Sequence, residues 1–494
     1  MILILSVCYR HLEYSVLFIA LQSTRRALRQ FEWYTPKRAK TTAIRVLFRL
    51  LLLLFCSCVS LYVSVSLFLD LVNVFHPSFR TDHRTCAPPI TLPQFRTLQS
   101  MSSPPDAPQR VASAVASMRA KPADAKVQAD GCEILQKMAD DSDTNRALIA
   151  SAGGIDAVLA AMRAHVIHAN VQAKGCGALR KLSFGSQNKA LIASAGGIET
   201  ILAGMCAHVA TVAVQEQGCG ALVNLANLDA NRPLIASAGG IEAIVAGMRA
   251  HLANAAVQQI GCVALLNLSV LDVNRPVIAS AGGIEAIVAG MHAHSTNAAV
   301  QEHGCVALLS LSILDTNSQL IASIGIEAIV SAMRAHAANA AVQESGCSAL
   351  STLSHTNDEN KSRIAFAGGI EAIVTGMRTH AANAEVQENG CGAIRSLSML
   401  DANRPLIASA GGIEAIVAGM RAHAANAAVQ ENGCVSLYRL SLTAALHRRM
   451  VSCGGIKAVQ AAMRAHPSVA KIRERGKQAV DACAAQSGTF CTEI

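Results

Sequence analysis

The chain contains 494 residues, more than one compact hydrophobic core usually accommodates, so it has several domains or a repeat array whose core grows with length. Its formal net charge is +9, and the first 100 residues, with 12 Lys/Arg against 4 Asp/Glu, carry +8 of it. The rest of the chain is close to neutral, which argues against nucleic-acid binding by that part.

Residues 1–100 form a basic, aromatic-rich region with a candidate transmembrane helix. Residues 50–69 contain 20 residues without a charge, enough to cross about 30 Å of hydrocarbon. Eight Lys/Arg residues between positions 25 and 49 place the N-terminus in the cytosol by the positive-inside rule. The repeats described below would then be lumenal, which conflicts with their many cysteines. Two interpretations stay open: a membrane or signal segment, or an N-terminal extension that precedes a native start at Met101.

A Gly-Cys pair recurs through the remaining sequence at intervals of 42 to 44 residues. The cysteines of these pairs are Cys132, Cys176, Cys219, Cys262, Cys305, Cys347, Cys391 and Cys434. A period of this length is typical of helical solenoids, in which neighbouring repeats stack to bury their apolar faces. A group copied eight times is a packing or surface element, whereas an active site needs one convergence of different groups.

One repeat, residues 400–442, predicts three helices. Asp401 or Asn403 is expected to cap a short first helix, which ends at Gly411-Gly412. The second helix is predicted from apolar residues at helical spacing, Ile413, Ile416, Val417 and Met420. After a break at Asn426, the third helix is predicted to bury Val429, Cys434, Leu437 and Leu440. Small Gly433 is expected to let a neighbouring helix approach closely.

The strings N-R-x-x-I-A-x-A-G-G-I-E-A-I-V and V-Q-E-x-G-C-x-A-L-x-x-L-S resemble the armadillo repeat. The resemblance covers residues 110–486, as a half repeat and about eight repeats of roughly 43 residues, and a short tail, residues 487–494, follows. The V-Q-E-x-G-C variant is similar to the ARM region of large leucine-rich-repeat kinases, although no kinase or leucine-rich motif is present. The resemblance implies an all-α, right-handed superhelical solenoid. It also implies that third helices line a concave groove for extended or helical segments of partner proteins.

The chain departs from peptide-binding armadillo proteins at two third-helix positions. Where those proteins carry a partner-clamping asparagine, the chain reads Lys137, Lys181, Asn224, Asn267, Ser310, Thr352, Ser396 and Arg439. Where they carry a tryptophan one turn earlier, the chain has none, and few acids are expected in the groove. These departures disfavour a receptor for basic import peptides and favour an amphipathic helix or a flat surface as partner. The predicted partner-binding residues are Lys181, Asn224, Asn267, Ser310, Thr352, Ser396 and Arg439.

Two other residue types, cysteine and histidine, recur at equivalent positions of successive repeats and are called the cysteine ladder and the histidine ladder here. Equivalent cysteines of stacked repeats are expected to lie a helix-to-helix distance apart, about 8–10 Å, which is too far for disulfides, so they are expected to be buried thiols. A histidine ends each second helix: His165, His208, His251, His294, His336, His380, His423 and His466. These histidines are expected to cap terminal carbonyls, and an open alternative is a surface stripe that gains charge at mildly acidic pH.

The sequence therefore predicts a non-enzymatic scaffold without cofactor or metal. It contains no phosphate-binding loop, nucleophile elbow or H-E-x-x-H motif. The expected partners are proteins and not nucleic acids, and the expected form is a cytoplasmic monomer. The alternative is a single-pass membrane adaptor anchored through residues 50–69.

Overall fold

The computed structural model describes residues 107–487, which contain helices and no strands. The candidate transmembrane segment 50–69 and most of the tail lie outside the described residues. The array begins with a two-helix half repeat, Ala107–Ala120 and Ala125–Asp141. Eight three-helix repeats follow, numbered 1 to 8 here. The all-α solenoid predicted from the sequence is confirmed.

The helices of repeats 1 to 8 have the following bounds. The first helices are Asp143–Ser151, Ser186–Ser194, Asn231–Ser237, Asn274–Ser280, Asp315–Ile324, Asp358–Phe366, Asn403–Ser409 and His447–Ser452, the last preceded by a 3-10 turn at Ala444–Leu446. The second helices are Gly154–Ala164, Gly197–Ala207, Gly240–Ala250, Gly283–Ala293, Ile326–Ala335, Gly369–Thr379, Gly412–Ala422 and Gly455–Ala465. The third helices are Ala169–Leu182, Val212–Ala226, Ala255–Ser269, Ala298–Leu311, Ala340–Thr356, Ala384–Leu397, Ala427–Ser441 and Ala470–Ser487.

The breaks between helices follow from local chemistry. Gly411 has φ +82°, and the equivalent glycine of six other repeats is also left-handed, a conformation that a Cβ would strain. The Asn426 side chain accepts from the backbone N–H groups of Ala428 and Val429 and so begins the third helix. The predicted cap of the first helix was wrong. Asn403 is the first helical residue and its amide donates to the carbonyl of Leu397, while the Asp401 carboxylate lies 2.7 Å from Arg404.

The core is one continuous cluster of small and branched side chains. All eight recurrent cysteines are buried, as are Val429, Leu437 and Leu440 of the predicted stripe. The close approach predicted at Gly433 is confirmed, because a Cβ there would lie 2.6 Å from the sulfur of Met420. The third helix of each repeat packs against the third helix of the next. This packing produces one uninterrupted third-helix face along the array.

Polar contacts couple each repeat to its neighbours. The Nε2 atom of every histidine in the ladder donates to a backbone carbonyl just beyond the second helix of the preceding repeat, at 2.7 to 2.9 Å. The predicted capping of helix-terminal carbonyls was therefore wrong, because each imidazole binds a turn carbonyl of the preceding repeat. Arginines near the same helix end donate forward to the turn before the next second helix, as Arg334 does to the carbonyl of Ala367 at 3.1 Å.

Within residues 107–487, none of the helices alone has the length and apolar character needed to span a membrane. Three pairs of adjacent helices together reach the length and apolar composition of a membrane span, but the chain bends by 64° to 73° between the two helices of each pair. In each pair the bend falls at the glycine turn between the first and second helices, which is the repeat's own architecture.

Candidate interaction surface

The seven residues predicted to bind a partner lie in one row, called the central row here, on consecutive third helices. All are half-buried except Ser396, which is buried. Asn224 donates to the carbonyl of Arg180 at 2.9 Å, Asn267 to that of Val223 at 3.3 Å, and Arg439 to that of Arg395 at 2.7 Å. Each acceptor belongs to the preceding third helix.

The other members of the central row also have partners inside the array. Lys181 forms an ion pair of 2.6 Å with Asp140, and Ser310 lies 2.7 Å from the hydroxyl of Ser269. Ser396 contacts the ring of His355, and Thr352 donates to a carbonyl of its own helix. The row therefore joins adjacent repeats, and each asparagine keeps only part of its hydrogen-bonding capacity for a ligand.

A second row, called the glutamate row, lies three residues before the recurrent cysteine. Its members are Glu216, Glu302, Glu344, Glu388 and Glu431. All five are half-buried on the third-helix face. Burial, followed by the negative charges of Glu385, Glu302 and Glu388, raises the pKa of Glu344 above its usual range. The sequence-based expectation that few acids line this face was wrong.

A third row, called the apolar row, lies eight residues after the cysteine, one or two residues past the opposite end of the third helix. Its members are Phe184, Val270, Ile313, Met399 and Leu442. Each side chain is about half exposed, from 49% for Met399 to 57% for Ile313. Partly buried Leu266 and Leu309, one turn earlier, extend the apolar surface toward the middle of the face. This row was not predicted from the sequence, because it lies outside the two third-helix positions that peptide-binding armadillo proteins use.

A polar pocket of about 170 Å³ opens on the third-helix face across repeats 5 to 7. Its lining includes Ser348 and Gly392, which occupy the missing-tryptophan position, together with Thr352, Glu388 and Arg395. A Cβ at Gly392 would meet its nearest atom, on Asn432, at 3.6 Å, which is ordinary van der Waals contact, so the position has room for an alanine. The absent tryptophan ladder is thus replaced by a shallow, hydroxyl-lined depression.

The face becomes basic toward the C-terminal end of the array. Burial, followed by the positive charges of Arg395, Arg475 and Arg404, lowers the pKa of Arg439. Arg475 stacks over the ring of Tyr438, with 5.3 Å between its guanidinium carbon and the ring centroid. The third-helix face therefore changes character along its length.

The recurrent cysteines are buried thiols of low reactivity. All eight thiols are free and buried, and burial raises the pKa of Cys262, like that of six equivalents, to about 12. The thiolate is the reactive form, so these side chains serve packing. In the part of the chain that the structure describes, no group of three His, Cys, Asp or Glu residues is arranged to hold a metal ion.

Comparison with known proteins agrees with this architecture. Residues 198–409 match the family model described as LRRK2 ARM repeat. Over these residues the chain resembles the LRRK2 ARM region, and its helical solenoid has the armadillo-repeat fold. No curated protein matches the chain.

Two solved structures show the same fold. A chain from a study of a phosphorylation switch that controls the interaction between cadherin and beta-catenin has a TM-score of 0.65 and 18% identity, covering 78% of this chain and 74% of that chain. An engineered protein has a TM-score of 0.57 and 20% identity, covering 76% of this chain and 99% of its own. At these identities the likeness concerns the fold alone.

Proposed function

We propose that this armadillo array is a non-enzymatic scaffold whose third helices form a groove that binds a segment of a partner protein. The observation that carries the proposal is the continuous third-helix face, on which no other described element packs and which presents apolar, acidic and hydroxyl-bearing side chains in register. The solenoid extends this face over eight repeats, so a long segment can make many small contacts. The neutral body of the array suits a protein partner better than a nucleic acid.

Site-specific photocrosslinking tests the proposal. A photoreactive amino acid replaces Thr352, which lines the pocket on the third helix of repeat 5. The control replaces Ser331, an exposed hydroxyl residue on the second helix of the same repeat. A crosslinked partner peptide is expected from position 352 and not from position 331, and equal or absent crosslinking from both positions would refute a groove site.

The asparagines of the central row give a second test. Replacing Asn224 and Asn267 with alanine is expected to weaken partner capture while the helical circular dichroism is retained. Because both amides also donate to the preceding repeat, thermal unfolding of the double variant must be measured alongside binding. Undiminished capture of every partner would rule out the central row as the contact.

A second candidate function is a membrane-anchored adaptor that displays the same array. The observation that favours it is the uncharged stretch of 20 residues at positions 50–69. Carbonate extraction of the full chain separates the two candidates, because a spanning helix stays with the membrane pellet. Under the first proposal, the protein is cytoplasmic and monomeric. Detection of peptides from residues 1–100 by mass spectrometry would show whether that region is translated.

A further inference from the structure

The glutamate row and the apolar row run along opposite margins of the third-helix face. In repeats 4, 6 and 7 the glutamate lies nine or ten residues before the end of its third helix, about 14–15 Å along the helix axis, and the apolar residue follows one or two residues past that end. A helix with its side chains has a diameter of about 10–12 Å. The strip between the rows is therefore wide enough for one helix lying across the third helices.

The middle of the glutamate row lacks counter-charges. Glu431 lies 3.0 Å from Lys471, and Glu216 lies 3.9 Å from Arg180. In contrast, the carboxylates of Glu302, Glu344 and Glu388 form no ion pair with any described residue. Three half-buried, unneutralised carboxylates in consecutive repeats repel one another, so a cation placed along them relieves both desolvation and repulsion.

The apolar row supplies the second half of the surface. Ile313 and Val270 are more than half exposed, and Leu266 and Leu309 lie beside them on the same face. Exposed aliphatic side chains repeated in register mark an interaction surface more strongly than scattered ones. The glutamate row limits the partner that can cover these apolar side chains. An acidic or phosphorylated partner would place negative charge against the glutamates and be repelled.

We propose that the partner segment is an amphipathic helix with aliphatic side chains along one side and Lys or Arg along the other, lying along repeats 3 to 6 between the apolar row and the glutamate row. This inference rests on the proposed groove function and adds the chemistry of the partner. An extended basic peptide fits less well, because the tryptophan ladder is absent and both asparagines already bind the preceding helix. A nucleic acid would place its phosphates against the carboxylates.

The charge arm of the test uses the full chain and two fluorescent 18-residue peptides, one of Leu and Lys in helical register and one with every Lys replaced by Glu. Anisotropy is expected to show binding of the Lys peptide at least about tenfold tighter than that of the Glu peptide, with the difference shrinking in high salt. The combined variant Glu302→Gln, Glu344→Gln and Glu388→Gln is expected to lose about tenfold in affinity for the Lys peptide. The matched control makes the same change at the exposed second-helix glutamates of the same repeats, Glu285, Glu327 and Glu371.

The apolar arm replaces Val270, Ile313 and Met399 with serine and is expected to weaken binding of the Lys peptide by about tenfold. Its control makes the same change at exposed first-helix residues, Leu191, Leu234 and Leu406. Circular dichroism establishes that all variants are folded, and the salt dependence of the unmodified chain gives a readout that needs no variant.

The outcomes separate the two proposals. Equal affinity for the Lys and Glu peptides, or equal effects of groove and control variants, would overturn the inferred partner chemistry. If a photoreactive Thr352 position crosslinks the Glu peptide instead, the groove function stands and the basic amphipathic partner is wrong. If neither peptide crosslinks there and a cellular partner does not either, both proposals fall.

Discussion

Replacing Gln258 with methionine tests whether the buried glutamine of each repeat is a structural coupling. Gln258 is fully buried, and its Nε2 donates to the carbonyls of Met248 at 2.7 Å and His251 at 3.0 Å, tying the third helix to the end of the second. Losing two hydrogen bonds and leaving a buried carbonyl without this donor costs about 3–4 kcal/mol. Methionine buries more apolar surface and removes the Gln258 Oε1, which is buried without a hydrogen-bond partner, and together these gains offset about 1–2 kcal/mol of the cost. The net expected loss of unfolding free energy is about 2 kcal/mol.

Urea unfolding followed by circular dichroism measures this loss. Gln259→Met is the matched control, because the adjacent Gln259 is half-exposed and the same change there removes no hydrogen bond recorded in the structure. The control is expected to change the unfolding free energy by less than about 0.5 kcal/mol. Equal stability of the two variants would refute the assignment of Gln258 as a coupling between helices.

Four further predictions concern other repeated features of the array. His294→Ala, which removes the hydrogen bond to the preceding repeat, is expected to cost about 1 kcal/mol in urea unfolding, whereas exposed His292→Ala should have no effect. Gly304→Ala would place a Cβ 2.6 Å from a methionine carbon and should destabilise by about 1–3 kcal/mol, whereas Gly392→Ala has space and should stabilise the helix; the reverse order would contradict the packing. Because burial raises the pKa of the recurrent thiols from 9.0 to about 12, the unfolded chain loses their protons first, so stability should be unaffected below about pH 9 and fall above it. Alkylation mapped by mass spectrometry at pH 8 should modify exposed Cys206 and spare the recurrent cysteines, and even labelling would show that they are not buried.

The parts of the fold that depend on one repeat were predictable from sequence. Helical spacing of apolar residues gave the second helix, Gly412–Ala422, and the glycine pair marked the turn before it. The prediction of the residue that caps the first helix failed, because the sequence does not distinguish an asparagine at the cap position from one at the first helical position. Only the folded chain shows that the Asn403 amide reaches back to Leu397 and, across repeats, to the carbonyl of Lys361 at 3.2 Å.

The contacts between repeats were not predictable in the same way. The histidine ladder was visible, but its acceptor lies 42 residues earlier for His251 and is defined only by the stacking of repeats. The glutamates were visible in the V-Q-E motif, but their common margin and the absence of cations near Glu344 are properties of the stacked array. The central row keeps its status as a prediction for binding, and the structure adds a coupling role to it.

Differences among the eight copies indicate which positions carry recognition. The buried glutamine and cysteine are the same in every repeat from 1 to 7, since each meets the same neighbours. In contrast, the position four residues after the cysteine reads Arg180, Val223, Leu266, Leu309, Ser351, Arg395 and Tyr438. A uniform groove would bind a repetitive partner in many equivalent registers, whereas a groove that changes from apolar to hydroxyl-lined to basic favours one register. For the proposed function, we therefore expect the variation on this face, set against the constancy beneath it, to select both the partner and the place where it binds.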